Sequence, residues 1–161
     1  MSSLIIIGLS FVLALTLEIV PLPASAPIEL GYLRPDWIVL VLFYWVIALP
    51  QRVGAVIGWC VGLLADVLTG SLLGLHAFTL VLVAWTGTIF YQRMRMFSVW
   101  QQSAIVMMVI TMVQVVSEGI ESIVGRSGWN PLQLMSVLIS GLFWPWVFLL
   151  LRWVRRRFGV T

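Results

Sequence analysis

Six residues at a spacing of four, Gly54, Gly58, Gly62, Asp66, Gly70 and Gly74, set a carboxylate into a run of glycines, GAVIGWCVGLLADVLTGSLLG. In a helix the first four lie along one slowly rotating face, about 40° further round at each step. In water, three glycines inside a helix would cost roughly 0.5–1 kcal/mol each relative to alanine; in a membrane they let a neighbouring helix backbone approach closely. An acid in such a helix needs a partner, all the more near a C-terminus, where the helix dipole disfavours negative charge. The intramolecular candidates are Arg34, Arg126 and the backbone amides of the following hairpin or helix. A contact with a partner protein, or proton or ion transfer, are the functional alternatives.

A second set, Gln114, Glu118 and Glu121, is spaced by four and three and so shares a helix face. Two carboxylates on one face can bind a metal or relay protons, with His76 and Asp66 as conceivable completions. The spacing matches no ligand signature such as HExxH, and both glutamates fall near a water interface. The expectation is therefore a solvated or ion-paired face, with Arg126 or another subunit as partner, and no metal. Lone His76 reads as a packed or hydrogen-bonded residue. There is no GxSxG, no Walker loop and no Ser/His/Asp set at suggestive spacing, so neither an enzyme nor a cofactor is expected.

The elements that must position these residues are membrane helices. With 161 residues, 61% hydrophobic and 9% charged, and a mean hydropathy of +1.10, the chain has too little polar surface for a water-soluble globule. A net charge of +3 is explained by membrane topology better than by nucleic acid. Cys60 is the one cysteine and is expected to pack as a small hydrophobe.

Apolar runs give six spans, approximately 4–20, 36–49, 53–69, 72–91, 99–124 and 132–151, in a single integral membrane domain covering 1–161. The first reads as an uncleaved helix and not a signal peptide: no basic residue precedes it, and Pro27 would follow a cut after Ala24-Ser25-Ala26. It ends at Pro21 and Pro23. Residues 21–35 form the longest connection. The second span is short, about 20 Å against a hydrocarbon core of about 30 Å, so it must borrow length or sit among taller neighbours. Only a hairpin fits between the third and fourth spans, which should be antiparallel neighbours. The fifth, about 39 Å as one helix, demands tilt or projection. Pro145 in the sixth should kink it near its end.

Orientation rests on arginine, since the chain has no lysine. With both termini in the cytoplasm, Arg52, Arg93, Arg95, Arg152, Arg155, Arg156 and Arg157 lie inside as anchors, and only Arg34 and Arg126 outside. Glu18, Glu29, Asp36, Asp66, Glu118 and Glu121 then all fall in the outer half, making an anionic outer face. Trp37 and Trp129 mark the outer interface, Trp100 and Trp153 the inner one.

The order of motifs resembles the rod shape-determining protein MreD family of Gram-negative bacteria over nearly the full length. The matching residues are Leu33-Arg34-Pro35-Asp36-Trp37, Tyr44-Trp45 leading to Ala48-Leu49-Pro50 and Arg52, and Gly62 through Asp66. They continue with Gly70-Ser71, Leu73-Gly74, Trp100-Gln101-Gln102 and Leu142-Phe143-Trp144-Pro145-Trp146 running into the arginine tail. Asp36 stands where the family often carries asparagine. The resemblance implies a non-catalytic scaffold of the inner membrane that associates with MreC. Through MreC it would reach MreB and the transglycosylase RodA with its penicillin-binding partner, organising lateral-wall peptidoglycan synthesis. The family is also similar in pattern to the S-components of energy-coupling-factor transporters, which implies an all-α, six-helix fold and, as the alternative function, a small-molecule or lipid-binding transporter subunit. That alternative requires a pocket lined by polar residues such as Gln114 and Glu118.

Overall fold

The computed structural model describes residues 3–20, 34–126 and 133–160. Glu29 and Trp129, given outer positions above, lie outside the described residues. The described chain is all helix: α1 (Ser3–Ile19), α2 (Trp37–Ala48), α3 (Ala55–Thr69), α4 (Leu75–Met94), α5 (Val99–Ile123) and α6 (Gln133–Arg157). By length and composition α4, α5 and α6 can each cross a membrane, while α1, α2 and α3 are shorter apolar helices.

The short second helix is the centre of the molecule. Every residue from Ile38 to Ala48 is buried, because α1, α4 and α6 all pack against α2. Its sequence, WIVLVLFYWVIA, has no polar face to turn outward, as a helix enclosed on all sides requires. Phe43, Trp45 and Trp144 are among the largest fully buried side chains, and Phe43 meets Trp144 edge-on at 5.7 Å. The one polar atom Trp45 carries is satisfied: its Nε1 donates to Ser10 Oγ at 2.8 Å, and Ser10 in turn donates to the Ile7 carbonyl.

Three helix boundaries depart from the sequence expectation, one being the end of α4 at Met94 and not at Tyr91. α4 begins at Leu75 and not Leu72, since residues 70–74 are spent on a turn with positive φ at Gly70 (66°) and Gly74 (97°), a conformation glycine adopts without strain. α6 runs through Pro145 and on to Arg157, so the arginines belong to the helix and not to a tail beyond it. The missing Pro145 amide leaves the Gly141 carbonyl one turn earlier unpaired by the helix. A further departure concerns Cys60, which does not pack inside: it is exposed on the side of α3 away from Gly58, Gly62 and Asp66.

Successive helices alternate in direction, so the bundle has two chemically distinct ends. At one end, Glu18, Arg34, Asp36, His76, Glu118 and Gln133 converge on one cavity. At the other, Arg52 donates to Ser3 Oγ at 2.7 Å, and Arg95 reaches the last carbonyls of α2. Gln102 ties three elements there, donating to the Met94 carbonyl at 2.8 Å and accepting from Trp144 Nε1 at 3.3 Å.

Candidate functional site

The glycine run divides by role. Gly58 and Gly62 form a close helix contact: a methyl on Gly58 would lie 2.9 Å from the Leu80 carbonyl oxygen, and one on Gly62 would overlap the Ala77 backbone and come 2.6 Å from the His76 carbonyl oxygen. The surface made for another helix is therefore occupied by the chain's own α4. Gly54 is the residue before α3 and has open space around it, and Gly70 and Gly74 serve the turn.

Asp66 is 1% exposed and acts as a cap for α4 from the neighbouring helix. Its Oδ2 accepts from the Gly74 amide at 2.8 Å and, at 3.4 Å, from Ala77; its Oδ1 accepts from the His76 amide at 2.9 Å. α4 has no cap from its own Gly74, so these otherwise orphaned amides are satisfied by a carboxylate, and the dipole of α4 favours the charge that the dipole of α3 opposes. Neither arginine candidate is its partner. Arg34 donates instead to the Glu18 and Val20 carbonyls at the end of α1, and Arg126 is exposed, with no ion pair among the described residues.

The fold brings together a Ser/His/Asp set that sequence spacing did not single out. Ser71 Oγ donates to Asp66 Oδ1 at 2.8 Å, and His76 Nδ1 lies 2.8 Å from the same oxygen. A carboxylate only accepts, so the imidazole proton resides on Nδ1. In a nucleophilic triad the hydroxyl and the carboxylate use opposite ring nitrogens. Here Ser71 lies 3.1 Å from the same Nδ1, and its proton points to Asp66. The imidazole is therefore not placed to take the Ser71 proton.

Beside this cap lies a cavity of about 300 Å³ walled by α1, α2, α4, α5 and α6, with Glu18, Arg34, Asp36, Gln114, Glu118 and Ser136 among its lining. Ser136 Oγ donates to the Arg34 carbonyl at 2.6 Å and Ser140 Oγ accepts from the Asp36 amide at 2.9 Å, so α6 fixes the segment that enters α2. Glu118 Oε1 accepts from Gln133 Nε2 at 2.9 Å. Glu18 Oε2, Asp36 Oδ2 and Glu118 Oε2 are buried without a hydrogen-bond partner among the described residues. Gln114 and Glu118 thus turn into the bundle, which corrects the expectation of a solvated face; Glu121, one turn on, does not line the cavity and makes no ion pair with Arg126. No three His, Cys, Asp or Glu among the described residues are grouped to hold a metal. Ser71, Gln133 and Ser136 are the site residues that sequence reasoning passed over, since each is a single polar residue near a helix end, and Glu18 was placed at this end only as one of its acids.

At the opposite end a second cavity of about 350 Å³ is lined by Tyr44, Arg95, Gln102, Arg152, Arg155 and Arg156. Arg52 lies apart from it with Ser3; Arg93 and Arg157 are exposed outside it.

The family model described as rod shape-determining protein MreD matches residues 2–154. A protein of Haemophilus influenzae named rod shape-determining protein MreD is 36% identical over 149 residues, which cover 91% of this chain and 88% of that protein. No solved structure matches.

Proposed function

Since this chain belongs to the MreD family of rod shape-determining proteins, we propose that it acts as a non-catalytic scaffold of the cell-elongation complex, docking MreC and helping to organise lateral-wall peptidoglycan synthesis. MreB, RodA and its penicillin-binding partner would be reached directly or through MreC. The observation that carries the non-catalytic reading is the Asp66 cap: the chain's single histidine and its nearest hydroxyl are both committed to one carboxylate that holds two helices together. Six spans in the bacterial inner membrane, with both termini cytoplasmic and the carboxylate-rich end outside, are supported by the arginine count, seven at one end against two at the other. Tagged protein purified in mild detergent should carry MreC with it; monodisperse protein that brings down no MreC would sink the docking reading.

One observation favours a second reading, a small-molecule or lipid-binding subunit like the S-components. The cavity lined by Gln114 and Glu118 is open space inside the helices, large enough for several water-sized groups and edged by unpartnered acceptors. A ligand seated there would raise the melting temperature of the purified protein.

A further inference from the structure

The positive-inside rule explains why arginines collect at one end of a membrane protein, but it asks only for charge and not for convergence. Here four of the seven converge. Arg95, just past α4, and Arg152, Arg155 and Arg156 on α6 surround one cavity of about 350 Å³, with Gln102 from α5 and Tyr44 from α2 completing its wall. Arg52, Arg93 and Arg157, at the same end, stay outside it.

These guanidiniums have few partners among the described residues, Arg95 lying over the Tyr91 ring at 5.7 Å. Arg95 reaches two carbonyls of α2 through one nitrogen, at 3.5 and 3.3 Å, out of five donors. Arg152 lies over the Phe148 ring at 5.9 Å, and Arg152, Arg155 and Arg156 make no ion pair among the described residues, whose one salt bridge is His76–Asp66. Among the described residues no aspartate or glutamate is available to them: Glu18, Asp36, Asp66, Glu118 and Glu121 belong to the other end. Tyr44, 3% exposed, sits within electrostatic reach of all three α6 arginines and adds a neutral donor. The remaining wall, including Ile47, Met94 and Phe148, is apolar.

We propose that this pocket binds a phosphate group, with Arg95, Arg152, Arg155 and Arg156 as its charge-assisted donors and Tyr44 as a hydroxyl donor at its base. Guanidinium forks match phosphate oxygens in geometry as well as charge. Two sources carry that chemistry, the headgroup of an anionic phospholipid and a free phosphate compound; the apolar wall beside the arginines fits the lipid, and basic pockets between membrane helices take such headgroups.

The test is native mass spectrometry of the full chain in detergent, titrated with cardiolipin or phosphatidylglycerol and, in separate arms, with phosphatidylcholine and inorganic pyrophosphate. The unmodified protein should retain the anionic lipid over phosphatidylcholine. Arg155→Gln and Arg152→Gln should each weaken retention by about tenfold, the scale of one charge-assisted hydrogen bond, while Arg93→Gln and Arg157→Gln leave it within about twofold. Tyr44→Phe, which keeps the buried ring and removes only the hydroxyl, should weaken it by several-fold (roughly one hydrogen bond), and it reads the pocket even if an arginine variant does not fold. Saturable pyrophosphate binding that displaces lipid and is lost in the same variants would keep the phosphate site and assign it to a soluble ligand. Equal losses in pocket and control arginines, with no effect of Tyr44→Phe, would overturn the proposal and reduce the cluster to a topological signal.

Discussion

Asp66 shows how a residue that invites a functional reading can be spent on structure. Its two oxygens accept from three backbone amides and two side chains, all within the turn and first turn of α4. Replacing it with alanine leaves the amides at the start of α4 without their cap, so Asp66→Ala should lower stability by about 1–3 kcal/mol, a lost cap plus unsatisfied amides. Ser71→Ala removes one donor to an oxygen that keeps two others and should cost under about 1 kcal/mol. Thermal unfolding in detergent ranks the two, and equal losses would mean the amides find other partners. The sequence made Asp66 conspicuous, because a carboxylate at a fixed spacing from glycines stands out in an apolar run. Glu18, Asp36 and Glu118 were legible only as members of one acidic end; that these three share a cavity emerges when the alternating helices bring their ends together.

At the scale of elements, the α3–α4 pair is held by what two glycines lack. Gly54 is the N-cap of α3, in extended conformation and next to open space, so Gly54→Ala meets no clash and should cost no more than about 0.5–1 kcal/mol, the N-cap preference for glycine over alanine. Gly62→Ala should cost more, about 1–3 kcal/mol, because its methyl would meet backbone atoms of Ala77 and His76 that cannot rotate away. A Gly62→Ala protein as stable as the unmodified one would mean that the two helices separate readily. The hairpin pairing of α3 and α4 was legible from the short Gly70–Gly74 link and the glycine spacing. The enclosure of α2 was legible only as a length deficit: its all-apolar sequence marks burial but does not say which helices supply the cover. The solvated reading of the Gln114 and Glu118 face failed for a related reason, since a helical period reports that residues share a face and not what the face meets.

For the molecule as a whole, charge is sorted by end: carboxylates around one cavity, arginines around another, and between them a core of packed aromatics including Trp45, Trp144 and Phe43. The two cavities share no lining residue among those described, so each end can be perturbed alone. If the carboxylate-end cavity holds a ligand, Gln114→Leu should abolish a ligand-dependent rise in melting temperature while leaving anionic-lipid retention at the arginine end intact; a loss of both would show that the ends are coupled. The central helix has one more consequence, for biogenesis. At 12 residues α2 is about 18 Å long, well short of the hydrocarbon core, and its cover comes from α1, α4 and α6. The second helix thus packs against two helices that follow it in the chain, α4 and α6. Its enclosure is complete only once both have been made, so α2 reaches its packed state late although it is synthesised early.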